Sequence, residues 1–305
     1  MTARQYFAPS NVDEALKVIA EHGRVGVVAG GTDAVVGHRS GKHQLADVVI
    51  GIHRLQDLNG IQQTHDGGLS IGSLTSYASL LSSSEILERL TALADASAIV
   101  GSCATRNVGT LGGNIVNASP AMDTGAPLMV FNAVIELRSQ AHTRQLPITE
   151  LWTGPGLSVI GDDELLVSVT IPPMPQQSGS SYLRLEYRRA MEIAVVGVAA
   201  RVTLAEDGIV AAASIALAAV GPTCFLVAAA GHALVGQRLD ESNIAEAGAI
   251  AAAAAKPISD NRASENYRRQ MVSVLTRRAI TVAAARAAGR TVRVPASQRW
   301  REATI

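Results

Sequence analysis

Apolar residues recur along the chain with two different periods, and the switches between them divide it. Val12, Ala15, Leu16, Ile19 and Ala20 fall at helical spacing up to Gly23, and Asn11 with Glu14 three residues on has the form of a capping box. The continuous apolar run 25–29 predicts a buried strand, and 47–52 a second one, so residues 1–55 read as a small α/β unit. Residues 61–63 and 69–72 flank His65-Asp66-Gly67-Gly68, a hairpin signal. Helices are predicted over 77–81 and 86–99, alternating paired strands over 134–138 and 143–147, and a further strand over 165–171. Pro172-Pro173-Met174-Pro175 and the Gln-Gln-Ser-Gly-Ser-Ser after it then read as a linker, with a new segment starting at Tyr182. Strands over 193–204 and 209–220 surround the turn Glu206-Asp207-Gly208, and helices follow over 224–235, 243–255 and 265–288. The pattern divides the chain at 1–55, 56–175 and 176–290, with a peripheral basic tail over 291–305.

Length and composition narrow this picture. A chain of 305 residues, 48% hydrophobic and 17% charged, suits two or three folded domains. Net charge is zero, so nothing global favours nucleic acid or a membrane surface. The charge is uneven, however: from Lys256 onward 11 Lys/Arg face 3 Asp/Glu. That segment suits either an acidic partner surface or a solvated helix face. Two cysteines, Cys103 and Cys224, are too few for a four-thiolate iron–sulfur cluster and give no disulfide framework. With no apolar leader and no bilayer-length apolar run, a cytoplasmic protein is expected.

The candidate chemistry lies in two loops. In VVAGGTD (27–33) an apolar run meets Gly30 and Gly31, then Thr32 and Asp33. In VGTLGGNIVNASPAMD (108–123) the pair Gly112 and Gly113 sits between Thr110 and Asn114, with Asp123 downstream. Glycines let a backbone approach a ligand closely, and successive N–H groups can converge on an anion such as a diphosphate. Either loop taken alone reads first as a tight turn, since glycine pairs are common turn signals. Asp33 and Asp123 would repel a diphosphate and suit sugar or ribityl hydroxyls, with bracing of the loop as the alternative for Asp33. Arg106 could offset phosphate charge or form a surface ion pair. His38 and His43 read as loop histidines and Cys103 as a buried structural thiol. No G-x-G-x-x-G, no P-loop and no His pair at helical metal spacing is present.

AGGTD (29–33) followed by TRNVGTLGGNIVNASPAMD (105–123) resembles the FAD-binding medium subunit of molybdenum hydroxylases, the family of carbon monoxide, nicotine, ketone and xanthine dehydrogenases. The likeness continues through ELLVSVTIP (164–172) and SYLRLEYRRAMEIAVVGVAARV (181–202), covering about residues 5–285. It implies an α+β chain with a vanillyl-alcohol-oxidase-type (PCMH) FAD-binding fold in two subdomains and a C-terminal α+β domain. Carried over by position, Ala29, Gly30, Gly31, Thr32 and Asp33 would wrap the FAD diphosphate together with Thr110, Leu111, Gly112, Gly113 and Asn114. Asp123 would bind the cofactor's polar chain, and Leu166 would lie near the flavin. Arg184 falls where many relatives carry a Lys near the isoalloxazine, and Glu192 where they carry Asp.

The resemblance further implies partners: a large subunit with a molybdopterin-type molybdenum cofactor and a small subunit with two 2Fe–2S clusters, arranged as a dimer of heterotrimers. Electrons would pass from those clusters to this FAD and on to an external acceptor. No catalytic acid or base is assigned to this chain. Two other readings compete, a stand-alone flavoprotein oxidase or reductase of the same fold, and a nucleotide-binding scaffold without redox function. An aromatic content of 3% leaves little for a substrate sandwich over a flavin, which counts against the first.

Overall fold

A computed structural model describes residues 5–41 and 44–303; His43 lies outside them. Three short parallel strands, Gln5–Phe7, Val48–Gly51 and Gly26–Val28, form the first sheet, with Val48–Gly51 in the middle. Helix Val12–His22 buries Val12, Ala15, Leu16 and Ile19, the spacing that predicted it. Asn11 caps the helix by accepting from the Glu14 N–H at 2.8 Å, a contact worth about 1 kcal/mol. The other half of the expected capping box is displaced. The Glu14 carboxylate accepts from the N–H and hydroxyl of Ser10, at 2.7 and 2.8 Å, and not from the cap residue.

A five-stranded antiparallel sheet follows, in the order Ile61–Gln63, Leu69–Gly72, Leu165–Ile171, Val134–Arg138 and Thr143–Pro147. Its central strand serves two cores: Leu165 and Val167 join the core of the first unit, while Leu166, Val169 and Ile171 join the central one. The register shift between Leu166 and Ser168 is where this division is made. The expected helix over 86–99 is two helices, Ser84–Arg89 and Thr91–Ile99. They are separated by Leu90 at φ −122° and ψ 48°, whose side chain is buried. No Gly or Pro marks the break, which tertiary packing imposes. Helix Thr91–Ile99 is buried on nearly every side, including Asp95 and Ser97.

The last sheet is antiparallel, Ser178–Leu185, Val196–Leu204, Val210–Ala218 and Phe225–Leu226. It is covered by helix Glu265–Ala287, against which helix Glu241–Ala254 packs. Two expectations are corrected here. The Ser-Gly-Ser-Ser of the supposed linker is strand, so only 172–177 separates the two sheets. Where a helix over 224–235 was expected, a two-residue strand and the short helix Ala228–His232 stand instead. The tail is also not peripheral. Val292, Ala296 and Ala303 are buried, and the Ala296 N–H donates to Asp95 at 2.8 Å.

Candidate functional site

The two glycine loops, about 80 residues apart in sequence, meet in space. A Cβ built on Gly30 would stand 1.8 Å from the carbonyl oxygen of Val108, so only glycine permits the contact. Gly31 has φ +71°, a conformation disfavoured by any side chain. Both loops leave secondary structure at this point. The first follows strand Gly26–Val28 and enters helix Ala34–Arg39; the second opens helix Leu111–Val116 with Thr110 as its cap. His38 therefore sits on a short helix and not in a loop.

The loops differ in what they can offer an anion. Among the described residues, the backbone N–H groups of Gly30, Gly31, Thr32 and Asp33 meet no acceptor. The second loop uses its own donors. Leu111 N–H bonds Thr75 O at 3.0 Å, Gly112 N–H bonds Ser73 O at 2.8 Å, and Gly113 N–H bonds Thr110 Oγ1 at 3.1 Å. Asn114 N–H closes the first helical bond to Thr110 O at 3.2 Å. The two loops are thus not equivalent: helix formation and neighbouring carbonyls take up the N–H groups of the second. Gly112 is glycine because a Cβ would fall 2.6 Å from that of Ser73. Gly113 has no positive φ; it is exposed, and its missing Cβ would face only the Thr110 hydroxyl, at 2.9 Å. Asn114 accepts from the Thr124 hydroxyl at 2.6 Å, which leaves its amide N–H₂ without a partner among the described residues.

Asp33 occupies the N-cap position of its helix, yet its side chain makes no cap bond. The loop-brace alternative has no contact to support it. Asp123 is held firmly: Oδ1 accepts from the Tyr182 hydroxyl at 2.9 Å and Oδ2 from Arg184 Nη1 at 2.7 Å. Arg184 is fully buried, with its remaining donors on Glu186 and on the carbonyl of Ile99. A guanidinium committed in this way differs from the free cation its sequence position suggests. Burial pushes Asp123 up to about 6, with the Arg184 charge and the Tyr182 hydrogen bond pulling the other way.

Burial and contacts describe three further residues. Leu166 is 5% exposed and part of the central core, beneath helix Leu111–Val116. Cys103 is exposed, correcting the buried thiol; Cys224 is the buried one. Arg106 bonds Val100 O at 3.0 Å and Cys103 Sγ at 3.2 Å, so it forms a local clasp where an ion pair was expected. Sequence reasoning missed Tyr182 and Glu186. Tyr182 and Glu186 flank Arg184 at positions two apart, the same-face spacing of a strand, which was the one available signal. Glu192, the position where relatives carry Asp, pairs with Arg188 at 3.1 Å.

Among the described residues, no group of three His, Cys, Asp or Glu could hold a metal ion, and no helix is long and apolar enough to cross a membrane. The arrangement brings together backbone donors at Gly30–Asp33 that meet no acceptor among the described residues, a small-residue helix start and one buried carboxylate, Asp123, a donor set whose chemistry suits an anionic ligand that also carries hydroxyls.

Comparison with known proteins makes this specific. The chain belongs to the molybdopterin dehydrogenase FAD-binding family: the model of the FAD binding domain in molybdopterin dehydrogenase matches residues 2–174, and that of the CO dehydrogenase flavoprotein C-terminal domain matches 181–283. The xanthine dehydrogenase FAD-binding subunit of Escherichia coli is 29% identical, over 93% of this chain and 97% of its own. The carbon monoxide dehydrogenase medium chain of Afipia carboxidovorans is 28% identical, over 92% and 97%. The nicotinate dehydrogenase FAD-subunit of Eubacterium barkeri is 30% identical, over 67% and 70%. In three dimensions the chain matches a chain of carbon monoxide dehydrogenase from Hydrogenophaga pseudoflava at a TM-score of 0.88 and 26% identity, covering 93% and 98% of the two. A chain of quinoline 2-oxidoreductase from Pseudomonas putida matches at 0.87 and 26%, over 94% and 98%. The fold is therefore an FAD-binding domain followed by a flavoprotein C-terminal domain.

Proposed function

We propose that this chain is the FAD-binding medium subunit of a molybdenum-dependent dehydrogenase. It takes electrons from 2Fe–2S clusters on a small partner subunit and passes them to an external acceptor. A large subunit carries the molybdenum cofactor and the organic substrate. The assembly is a cytoplasmic dimer of heterotrimers. Within the chain, residues 1–55 and 56–175 are the two FAD subdomains and 176–290 the C-terminal domain. The observation that carries this reading is the row of unpaired N–H groups at Gly30–Asp33, pressed against the loop that leads into Thr110–Asn114. A diphosphate needs donors of that kind, and here neutral backbone groups supply them without a cation. The Thr32 side chain and the Asn114 amide extend the same donor set, and Asp123 keeps lone pairs for ribityl hydroxyls beyond the two that Tyr182 and Arg184 engage. Leu166 packs beneath the site, and Arg184 acts by holding Asp123. Bound FAD would supply the exchange between the one-electron chemistry of the clusters and the chemistry of the acceptor; the chain binds, orients and shields it.

The test is a visible spectrum of the chain purified alone and again after co-expression with candidate partner subunits, with the released flavin identified. FAD in the first sample, joined by iron–sulfur absorbance in the second, is the expected result. Turnover of an organic substrate by the lone chain would instead make it a stand-alone oxidase or reductase. Gly113→Val places a branched side chain on the exposed start of helix Leu111–Val116, and should abolish flavin retention while the chain still folds. A flavin-replete variant would remove this loop from the site.

A further inference from the structure

Tyr77 lies directly beneath the seam of the two loops. It follows Ser76, which pairs with Thr110 in an isolated bridge, and its own N–H donates to the carbonyl of Gly109 at 3.3 Å. The ring packs so closely on Gly109 that a Cβ there would stand 3.1 Å from it. Gly30 presses on the neighbouring Val108 carbonyl. The side chain is 3% exposed and belongs to the central core. A phenol so deeply placed normally finds a hydrogen-bond partner. Tyr182, the other fully buried tyrosine of this region, does so on Asp123. Tyr77 does not: its hydroxyl bonds no group among the described residues. Nor is its oxygen one of the sealed, unpartnered side-chain atoms of the interior, which are Ser73 Oγ, Ser97 Oγ, Arg201 Nε, Arg268 Nε and Thr276 Oγ1. The hydroxyl is therefore not sealed in the interior, and it lies within electrostatic reach of both Asp33, on the first loop, and Asp123.

We propose that the Tyr77 hydroxyl is a further hydrogen-bond donor to the bound dinucleotide, at the point where the two glycine loops converge. The inference rests on the FAD reading above and adds to it a residue outside both loops. Burial, then the negative charges of Asp123 and Asp33, push this phenol well above its ordinary range. It stays protonated and so donates, to a phosphate or ribityl oxygen, from a position that the ring's packing fixes.

Tyr77→Phe removes the oxygen and keeps the ring. Flavin-free wild-type and variant chains would each be titrated with FAD, following quenching of flavin fluorescence, and their thermal unfolding midpoints compared before FAD is added. The expected result is an unchanged midpoint, because no protein partner is lost, with an FAD Kd about tenfold weaker. Equal Kd values would overturn the proposal. So would a lowered midpoint in the flavin-free variant, which would give the hydroxyl a structural partner. A wild-type chain that binds no FAD would overturn the underlying reading as well, so the two failures are distinguishable.

Discussion

Asp123 shows at the scale of one residue how this site stores charge. Its carboxylate is buried, and Arg184, its counter-ion, is shared with Glu186. With the folded pKa raised from 3.8 to about 6, the folded chain holds a proton more tightly than the unfolded one across that interval. The sign follows: this contribution is fully present below pH 3.8 and is lost as pH rises through about 6. Asp123→Asn removes that dependence and takes away one of the two carboxylates that neutralise a buried guanidinium. A loss of about 3 kcal/mol is expected, as for other broken buried pairs. Urea unfolding of the flavin-free protein at several pH values would separate the effects. The wild-type advantage over the variant should be largest near pH 4 and should shrink by pH 6.5. Parallel stability curves would mean that Asp123 does not titrate in this range.

Between elements, a clasp ties the hairpin Val134–Arg138/Thr143–Pro147 to the start of the central strand. Arg144 reaches Glu164 through Nε at 2.6 Å and Nη2 at 2.8 Å, and the Gly161 N–H adds a bond at 2.7 Å. The Arg144 hydrogen bond is the largest influence on Glu164 and holds it near 2, below its ordinary 4.5. For a depressed carboxylate the stability is present above 4.5 and disappears as pH falls toward 2. Arg144→Gln should flatten part of the thermal-midpoint fall between pH 4.5 and 2 while lowering the midpoint at pH 7; an identical acid limb would show that the clasp contributes nothing. Elements of this kind were only partly legible in the sequence. Strands such as Leu165–Ile171 and helices such as Val12–His22 follow from local periodicity, and the glycine loops from composition. The break at Leu90 has no local signal. Nor does the engagement of the Gly112 N–H by Ser73, because its acceptor comes from a distant turn. Tyr77 escaped notice for the same reason: its importance lies in a hydroxyl left without a partner, which only the tertiary approach of the loops reveals.

Across the whole molecule, Asp95 joins three segments that the sequence keeps far apart. It accepts from Arg286 on the long helix at 2.6 and 3.1 Å, from the Tyr182 N–H at 3.1 Å and from the Ala296 N–H of the tail at 2.8 Å. The tail makes a second contact of the same kind, since Ser297 Oγ accepts from the Arg184 N–H at 2.9 Å. Tyr182 and Arg184 are the two residues that grip Asp123, so the tail braces the strand from which the candidate site is held. Farther out, Arg278 lies 4.0 Å above the Trp300 ring, and Arg286 donates to the Val292 carbonyl at 2.9 Å. Removing residues 290–305 would strip a donor from a buried carboxylate, free the Arg184 N–H and lose both cation–π contacts on Trp300. Together these are worth about 3 kcal/mol. A peripheral, partner-facing tail would predict that truncation after Gly289 leaves FAD content intact and weakens only assembly. The buried contacts predict instead a lower unfolding midpoint and poorer FAD retention in the isolated chain, before any partner is present. Flavin content and melting measured on the truncated chain alone decide between them: unchanged values for both would make the tail a docking surface, whereas loss of both would make it part of the scaffold that positions Asp123.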